Sequence, residues 1–346
     1  MMTLASFIAA MPKVELSAAL EGVNLRSTLL MLADQNEVAS SIKHFNDWVA
    51  LMDKPDYKRL GDLVRMTSSW IQQGEDLARV AYDAGMLLAK QNVRYAEIMV
   101  NPALYPTLSD SFEGFLTALN DGRDRAQRAW GIRLAWIMAI PRDEPRRADD
   151  VARLVTSLSG RRAGVVALGL TGREDVQPVG QFERAFRTAE KKSVPRVVRA
   201  GDVQGVEGVT NAIKVLAPNR VIDARGAVDS PELVQQLADE RITVCISPTR
   251  AVKQGWAASA ADVPLRALYD ADVPLVIGSD MPSLYQTTLN AEYGVAVEGG
   301  GLDVDELIEV ALNAVRGAFL PDEEKAAMEA AFRDEYARLR AEHLPG

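Results

Sequence analysis

Two histidines and one cysteine are all that this 346-residue sequence holds of the side chains that most often bind transition metals. His44 and His343 cannot form a three-histidine zinc site, and the lone Cys245 cannot close an internal disulfide. Cys245 lies in the apolar run Ile242 to Ile246, where it reads as a reduced core thiol in keeping with a cytoplasmic protein. No stretch reaches the ~18 consecutive apolar residues of a membrane span. A formal charge of −9 with no Lys/Arg cluster argues against nucleic acid as a partner, because phosphate neutralisation needs a basic surface. The segment Met1 to Met11 has no basic residue ahead of its apolar ones and reads as a short helix rather than an export signal. With 48% hydrophobic and 25% charged residues, the composition is that of a globular protein. Oligomeric state is open at this point.

What is present is a rhythm. Val14 and Leu16 alternate with polar neighbours as in a strand, Glu21-Gly22 closes a turn, and Asn24 to Gln35 has helical spacing. Short apolar runs then recur at Val93–Val100, Ile132–Ile140, Val165–Leu170, Val194–Val198, Arg220–Ile222, Ile242–Ile246 and Val273–Ile277. Amphipathic segments such as Phe112–Trp130, Gln181–Lys191, Val206–Leu216 and Pro231–Asp239 separate them. Nearly continuous apolar strands imply parallel pairing buried on both faces, and eight strand–helix repeats imply closure. The fold class expected is therefore α/β: a (β/α)8 TIM barrel forming one domain over residues 1–346. A helical insertion over residues 38–92 follows the first βα unit, and C-terminal helices cover Val304 to Leu344. An open doubly wound sheet is the alternative, but no Gly-x-Gly-x-x-Gly follows an early strand.

A barrel of this kind gathers its functional groups just after the strands, at one mouth. Ser17 and Glu21 follow the first strand; Gly172, Arg173 and Glu174 follow the fourth; Arg199 and Asp202 the fifth. Asp223 ends the sixth, Ser247 and Thr249 follow the seventh, and Ser279 and Asp280 the eighth. In the insertion, Ile42, Phe45, Val49 and Met52 share a helical face. Ser17 has no histidine near it in the chain to activate it, so it reads as a hydrogen-bonding group.

These motifs resemble the adenosine deaminase family of the amidohydrolase superfamily over most of the chain, from the first strand to Glu292. Leu16 to Gly22 is similar to a strand ending His-x-His before Leu-Asp/Glu-Gly, with Ser17 and Ala19 at the two histidine positions. Val198-Arg199-Ala200-Gly201-Asp202 resembles His-Ala-Gly-Glu, and Arg220-Val221-Ile222-Asp223-Ala224 resembles Arg-Ile-Gly-His-Gly. Gly278-Ser279-Asp280-Met281-Pro282 is similar to the Thr/Ser-Asp-Asp-Pro run. The resemblance implies that Ser17, Ala19 and Arg199 stand where the family binds its metal, Asp202 where a glutamate protonates the purine, and Asp223 where a histidine orients water. It further implies that Asp280 survives as a metal-ligand aspartate, and that Met281 replaces a base-contacting one. Glu21 and Gly172 would face the sugar and the purine, with Phe45, Trp48 and Ser279 completing the pocket.

Loss of those ligands argues against zinc-dependent deamination, which works by bringing the pKa of bound water near neutrality. Three readings follow. In the first, Asp202, Asp223 and Asp280 supply acid–base groups and Arg199 an anion-holding charge for metal-free hydrolysis, elimination or isomerisation of a nucleoside-like metabolite, with no cofactor. In the second, the chain is a silent relative that binds such a ligand. In the third, the three aspartates hold magnesium, against which Arg199 counts.

Overall fold

The apolar runs fold as eight strands: β1 Lys13–Glu15, β2 Val93–Val100, β3 Arg133–Pro141, β4 Val165–Thr171, β5 Arg196–Ala200, β6 Arg220–Asp223, β7 Thr243–Ile246 and β8 Leu275–Ile277. They pair in chain order, every pair parallel, with helices between them, which is the (β/α)8 arrangement. This is a computed structural model that describes residues 3–109 and 111–344, and of 158 and 159 the backbone alone. Of the expected N-terminal helix, Leu4–Ala10 forms, while residues 1 and 2 lie outside the described part.

Four strands begin later than their apolar runs, β3 and β7 by one residue and β5 and β8 by two. Pro195 and Pro274 carry no N–H for a ladder, so β5 starts at Arg196 and β8 at Leu275; each proline contributes only its carbonyl, to Leu168 and Val244. In compensation β5 and β6 run on to Ala200 and Asp223, which makes Arg199 and Asp223 strand residues at the mouth.

Among the described residues no ladder joins β8 to β1. The seam is closed instead by the Ala19 N–H, which donates to the Asp280 carbonyl (2.9 Å), and by Glu15. Glu15 is fully buried and accepts from the N–H and hydroxyl of Ser17 (2.8 and 3.0 Å) and of Ser279 (3.0 and 2.6 Å). Strand alternation assigned Glu15 to a polar face; its four donors are what make burial of a carboxylate tolerable.

At the opposite end Arg220 pairs with Glu97 (2.5 Å), donates to the Leu16 and Gly317 carbonyls and lies over the Phe319 ring. The C-terminal helices Val304–Arg316 and Asp322–His343 are thereby tied to the barrel, with the Tyr336 hydroxyl donating to the Pro12 carbonyl (2.6 Å). The insertion folds as the helices Val38–Ser41, Phe45–Asp53, Leu60–Ser68 and Gly74–Ala89. Leu60–Ser68 and the turn before it overhang the mouth. Among the described residues no helix is long and apolar enough to cross a membrane.

Candidate active site

The last residues of β5 and β6, and the first turns after β7 and β8, converge on one cluster. Arg199 Nη1 lies 2.9 Å from Asp223 Oδ2 and 2.9 Å from Asp280 Oδ2, and its Nη2 donates to Asp280 Oδ1 at 3.1 Å. Arg250, in the helix Pro248–Lys253 that follows β7, brings a second guanidinium: Nη2 to Asp202 Oδ2 at 3.0 Å, Nε 2.9 Å from Asp280 Oδ2, and Nη1 to Asp223. All five side chains are buried. Asp223 and Asp280 both sit at positive φ (85° and 56°), a region that is sparsely populated for non-glycine residues and is held here by the ion pairs. Burial opposes the charge on Arg250, and Asp223, Asp280 and Asp202 override it, holding its pKa well above the ordinary value. Asp202 shows the converse. Burial would raise its carboxyl, but the Arg250 charge, the neighbouring Glu174 and the Arg199 charge bring it down to about 2.

Above this cluster opens a cavity of about 310 Å³. Arg199, Asp202 and Arg250 form its floor, Ala19, Glu21, Asn101, Gly172 and Met281 its walls, and Tyr57, Leu60 and Val64 of the insertion its cover. The rings of Tyr57 and Tyr285 stack at 5.6 Å, and Trp256 lies against the Arg250 guanidinium at 4.5 Å. Glu21 accepts from the Asn101 N–H (3.0 Å). Burial pushes its carboxyl up to about 7, against the pull of that hydrogen bond, so Glu21 can hold or release a proton near neutrality.

The expected site residues divide by place. Arg199, Asp202, Glu21, Gly172 and Met281 line the cavity; Asp223 and Asp280 lie behind the arginines; Ser17 and Ser279 are buried against Glu15. Phe45 and Trp48, expected at the lid, lie elsewhere: Phe45 packs on Trp70 (5.2 Å) and Trp48 under Arg59 (5.7 Å). The reason is that Phe45–Asp53 turns its apolar face to the insertion's own core, leaving the mouth to the next helix. Arg250 escaped the sequence reading although it directly follows Ser247-Pro248-Thr249; an arginine four residues past a strand at the mouth was the available signal. Glu174 stood after β4 without a role, and in the fold it is buried beside Asp202.

Among the described residues, no group of three or more His, Cys, Asp or Glu is arranged to hold a metal ion. Each carboxylate of the cluster has at least one oxygen on a guanidinium nitrogen.

Comparison with known proteins places this geometry in a lineage. The aminodeoxyfutalosine deaminase of Streptomyces coelicolor is 30% identical over 325 residues, covering 93% of this chain and 83% of the relative. The adenine deaminase of Sphingopyxis alaskensis is 29% identical over 335 residues, covering 96% and 97%. Among solved structures, an amidohydrolase from Burkholderia ambifaria with bound zinc superposes with a TM-score of 0.89 at 25% identity, over 100% of this chain and 96% of that one. The adenosine deaminase family model matches residues 12–334, and on that extent of agreement the chain belongs to the adenosine deaminase family.

Proposed function

We propose that this protein is a metal-independent enzyme of the family, working by acid–base chemistry on a nucleoside-like small molecule held in the cavity above Arg199 and Arg250. The observation that carries the reading is the pair of guanidiniums standing between Asp202, Asp223 and Asp280. A catalytic zinc ion needs about three protein donors and an open position. Here a serine bonded to Glu15, an alanine and an arginine stand at the positions that the family resemblance gives to ligands. A dication would also have to displace two fixed positive charges from the carboxylates that remain. Neither zinc nor magnesium fits that donor set.

The reading gives each residue a part. Asp223 and Asp280 neutralise the arginines and fix their planes, which leaves Asp202, the aspartate that lines the cavity, to exchange a proton with the ligand. Glu21, on the wall, is the second proton-carrying group. Carboxyl groups whose environments push their pKa values apart, one to about 2 and one to about 7, suit complementary base and acid roles in hydrolysis, elimination or isomerisation. Arg199 and Arg250 already face three carboxylates, so they polarise the floor rather than capture a phosphate or carboxylate of the ligand.

The saturation of Asp223 and Asp280 favours a second reading, in which the site binds such a ligand without turning it over. One experiment separates the two. A small-molecule extract rich in nucleosides is incubated with wild type or Asp202→Asn in excess chelator and compared by mass spectrometry. Consumption of a compound by wild type, with a rate about 10²–10⁴-fold lower in the variant, is the expected result. A compound that co-purifies with wild type but is never consumed would replace catalysis by binding.

A further inference from the structure

Asp202 carries a buried oxygen, Oδ1, with no N–H or O–H donor among the described residues, while its Oδ2 takes a hydrogen bond from Arg250. An orphaned carboxylate oxygen at the floor of a cavity calls for an explanation. The explanation lies in Glu174, which follows β4 and is 2% exposed. Glu174 Oε1 accepts from the Gly201 N–H (2.8 Å), and Oε2 from the N–H groups of Val203 and Gln204 (2.7 and 3.0 Å). The carboxyl thus grips the loop on both sides of Asp202. Gly208 leaves the space for it: a Cβ there would come within 2.2 Å of Glu174 Oε1.

That grip sets the Glu174 carboxyl beside the Asp202 side chain, where it is the neighbour from which the bare Oδ1 can draw a donor. Two carboxylates cannot hydrogen-bond unless one of them holds a proton. We propose that Glu174 and Asp202 form a carboxyl–carboxylate pair sharing one proton, which Asp202 delivers to the molecule in the cavity and recovers from it. This deepens the acid–base reading above and rests on it for the delivery step, while the shared proton stands on the pair itself. In that step the proton on Glu174 passes to Asp202 and from Asp202 to a basic atom of the ligand, so that one proton leaves the pair and Asp202 returns to the carboxylate held by Arg250. Glu174 is left as a carboxylate stabilised by its three backbone amides, and the reverse transfers restore the pair. Glu174 does not line the cavity and is therefore a positioning and proton-holding residue.

The surroundings bias the proton towards Glu174. Arg250 and Arg199 act on Asp202 from β7 and β5, and Arg225 donates to the Asp202 carbonyl (2.6 Å). Arg142 reaches in from the end of β3, donating to the Gly172 and Arg199 carbonyls, and at the rim Arg173 pairs with Asp175. Burial raises Glu174, as does the neighbouring Asp202, while the cations around Asp202 lower that partner. Two adjacent carboxyl groups are therefore pushed in opposite directions, the arrangement by which like groups divide acid and base roles.

Infrared spectroscopy of the full chain in heavy water tests the pair without needing a substrate, because a protonated carboxyl absorbs apart from a carboxylate. At neutral pH, subtraction of the Glu174→Gln spectrum from wild type is expected to leave a protonated-carboxyl band equivalent to one group per chain. Asp202→Asn removes the partner charge but leaves the three amide bonds of Glu174 in place, and is expected to lose the same band. A Glu174→Gln spectrum that superimposes on wild type overturns the proposal, as does a band that survives unchanged in Asp202→Asn. Where Glu174→Gln fails to fold, the Asp202→Asn spectrum gives the decision alone. A band that behaves as expected in a protein that consumes no compound would leave the shared proton standing and remove the catalytic reading.

Discussion

Replacing Arg250 by methionine is expected to destabilise the fold by about 3–5 kcal/mol at neutral pH, the scale for removing one partner of a buried ion pair. The methionine keeps much of the volume, so the loss is electrostatic. Three buried aspartates would face one remaining guanidinium, and Trp256 would lose the nearer of the two cations over its ring, keeping Arg225. The deficit should shrink in acid. In wild type the Asp202 carboxyl is held at about 2, below its ordinary 3.8, so its stabilising contribution is present above that ordinary value and is lost as pH falls towards 2. The variant lacks the charge chiefly responsible, and its buried carboxylates relax by taking up protons at higher pH. Urea unfolding at neutral and acid pH measures both effects. Arg65→Ala serves as the control: Arg65 also has an aspartate partner, Asp143 at 2.6 Å, but both are exposed, and its loss should cost less than about 1 kcal/mol. Equal midpoints for wild type and Arg250→Met at neutral pH would mean that the five charges are not balanced as described.

The second large effect has the opposite sign. Glu21→Gln is expected to stabilise the protein by about 3 kcal/mol near pH 8 and to change little near pH 4, since a pKa displacement of one unit is worth about 1.4 kcal/mol. Burial lifts the Glu21 carboxyl from 4.5 to about 7, so its contribution is intact below the unfolded value and is lost as pH rises through the folded one. Glutamine is neutral at every pH and keeps a carbonyl oxygen for the Asn101 N–H. If Glu21 carries a proton for the ligand, the same substitution lowers turnover while it raises the midpoint, the exchange of stability for activity seen where a strained group serves a site. A variant whose midpoint follows wild type across the pH range would show that Glu21 is ionised and solvated in the folded protein.

Much of the architecture was open to reading along the chain because it is local. The β-branched apolar runs, their alternation with amphipathic segments and their number imply parallel strands closing into a barrel. Arg199, Asp223 and Asp280 were legible as mouth residues because each lies at or just past the end of such a run. Family resemblance led to the same positions from their motifs, and the match over residues 12–334 agrees with it.

Other features could not be read in that way. Asp223 and Arg250 are 27 residues apart and Arg199 and Asp280 are 81 apart, so only the convergence of strand ends brings their charges into contact. Strand alternation marked Glu15 only as a polar neighbour of Val14 and Leu16, whereas the β8–β1 seam supplies four donors that hold it in the interior. Helical spacing put Phe45 on an apolar face without saying which neighbour that face meets, and the packing of the insertion assigned it to Trp70 and gave the cavity to Tyr57. The same holds for Glu174, a turn residue by its neighbours in the chain and a buried partner of Asp202 in the fold. Periodicity determines which residues are buried or exposed along one element, because it depends on neighbours a few positions away. Which charges meet, and so which can exchange a proton, is decided by ring closure, since the interaction falls with distance through space and not along the chain.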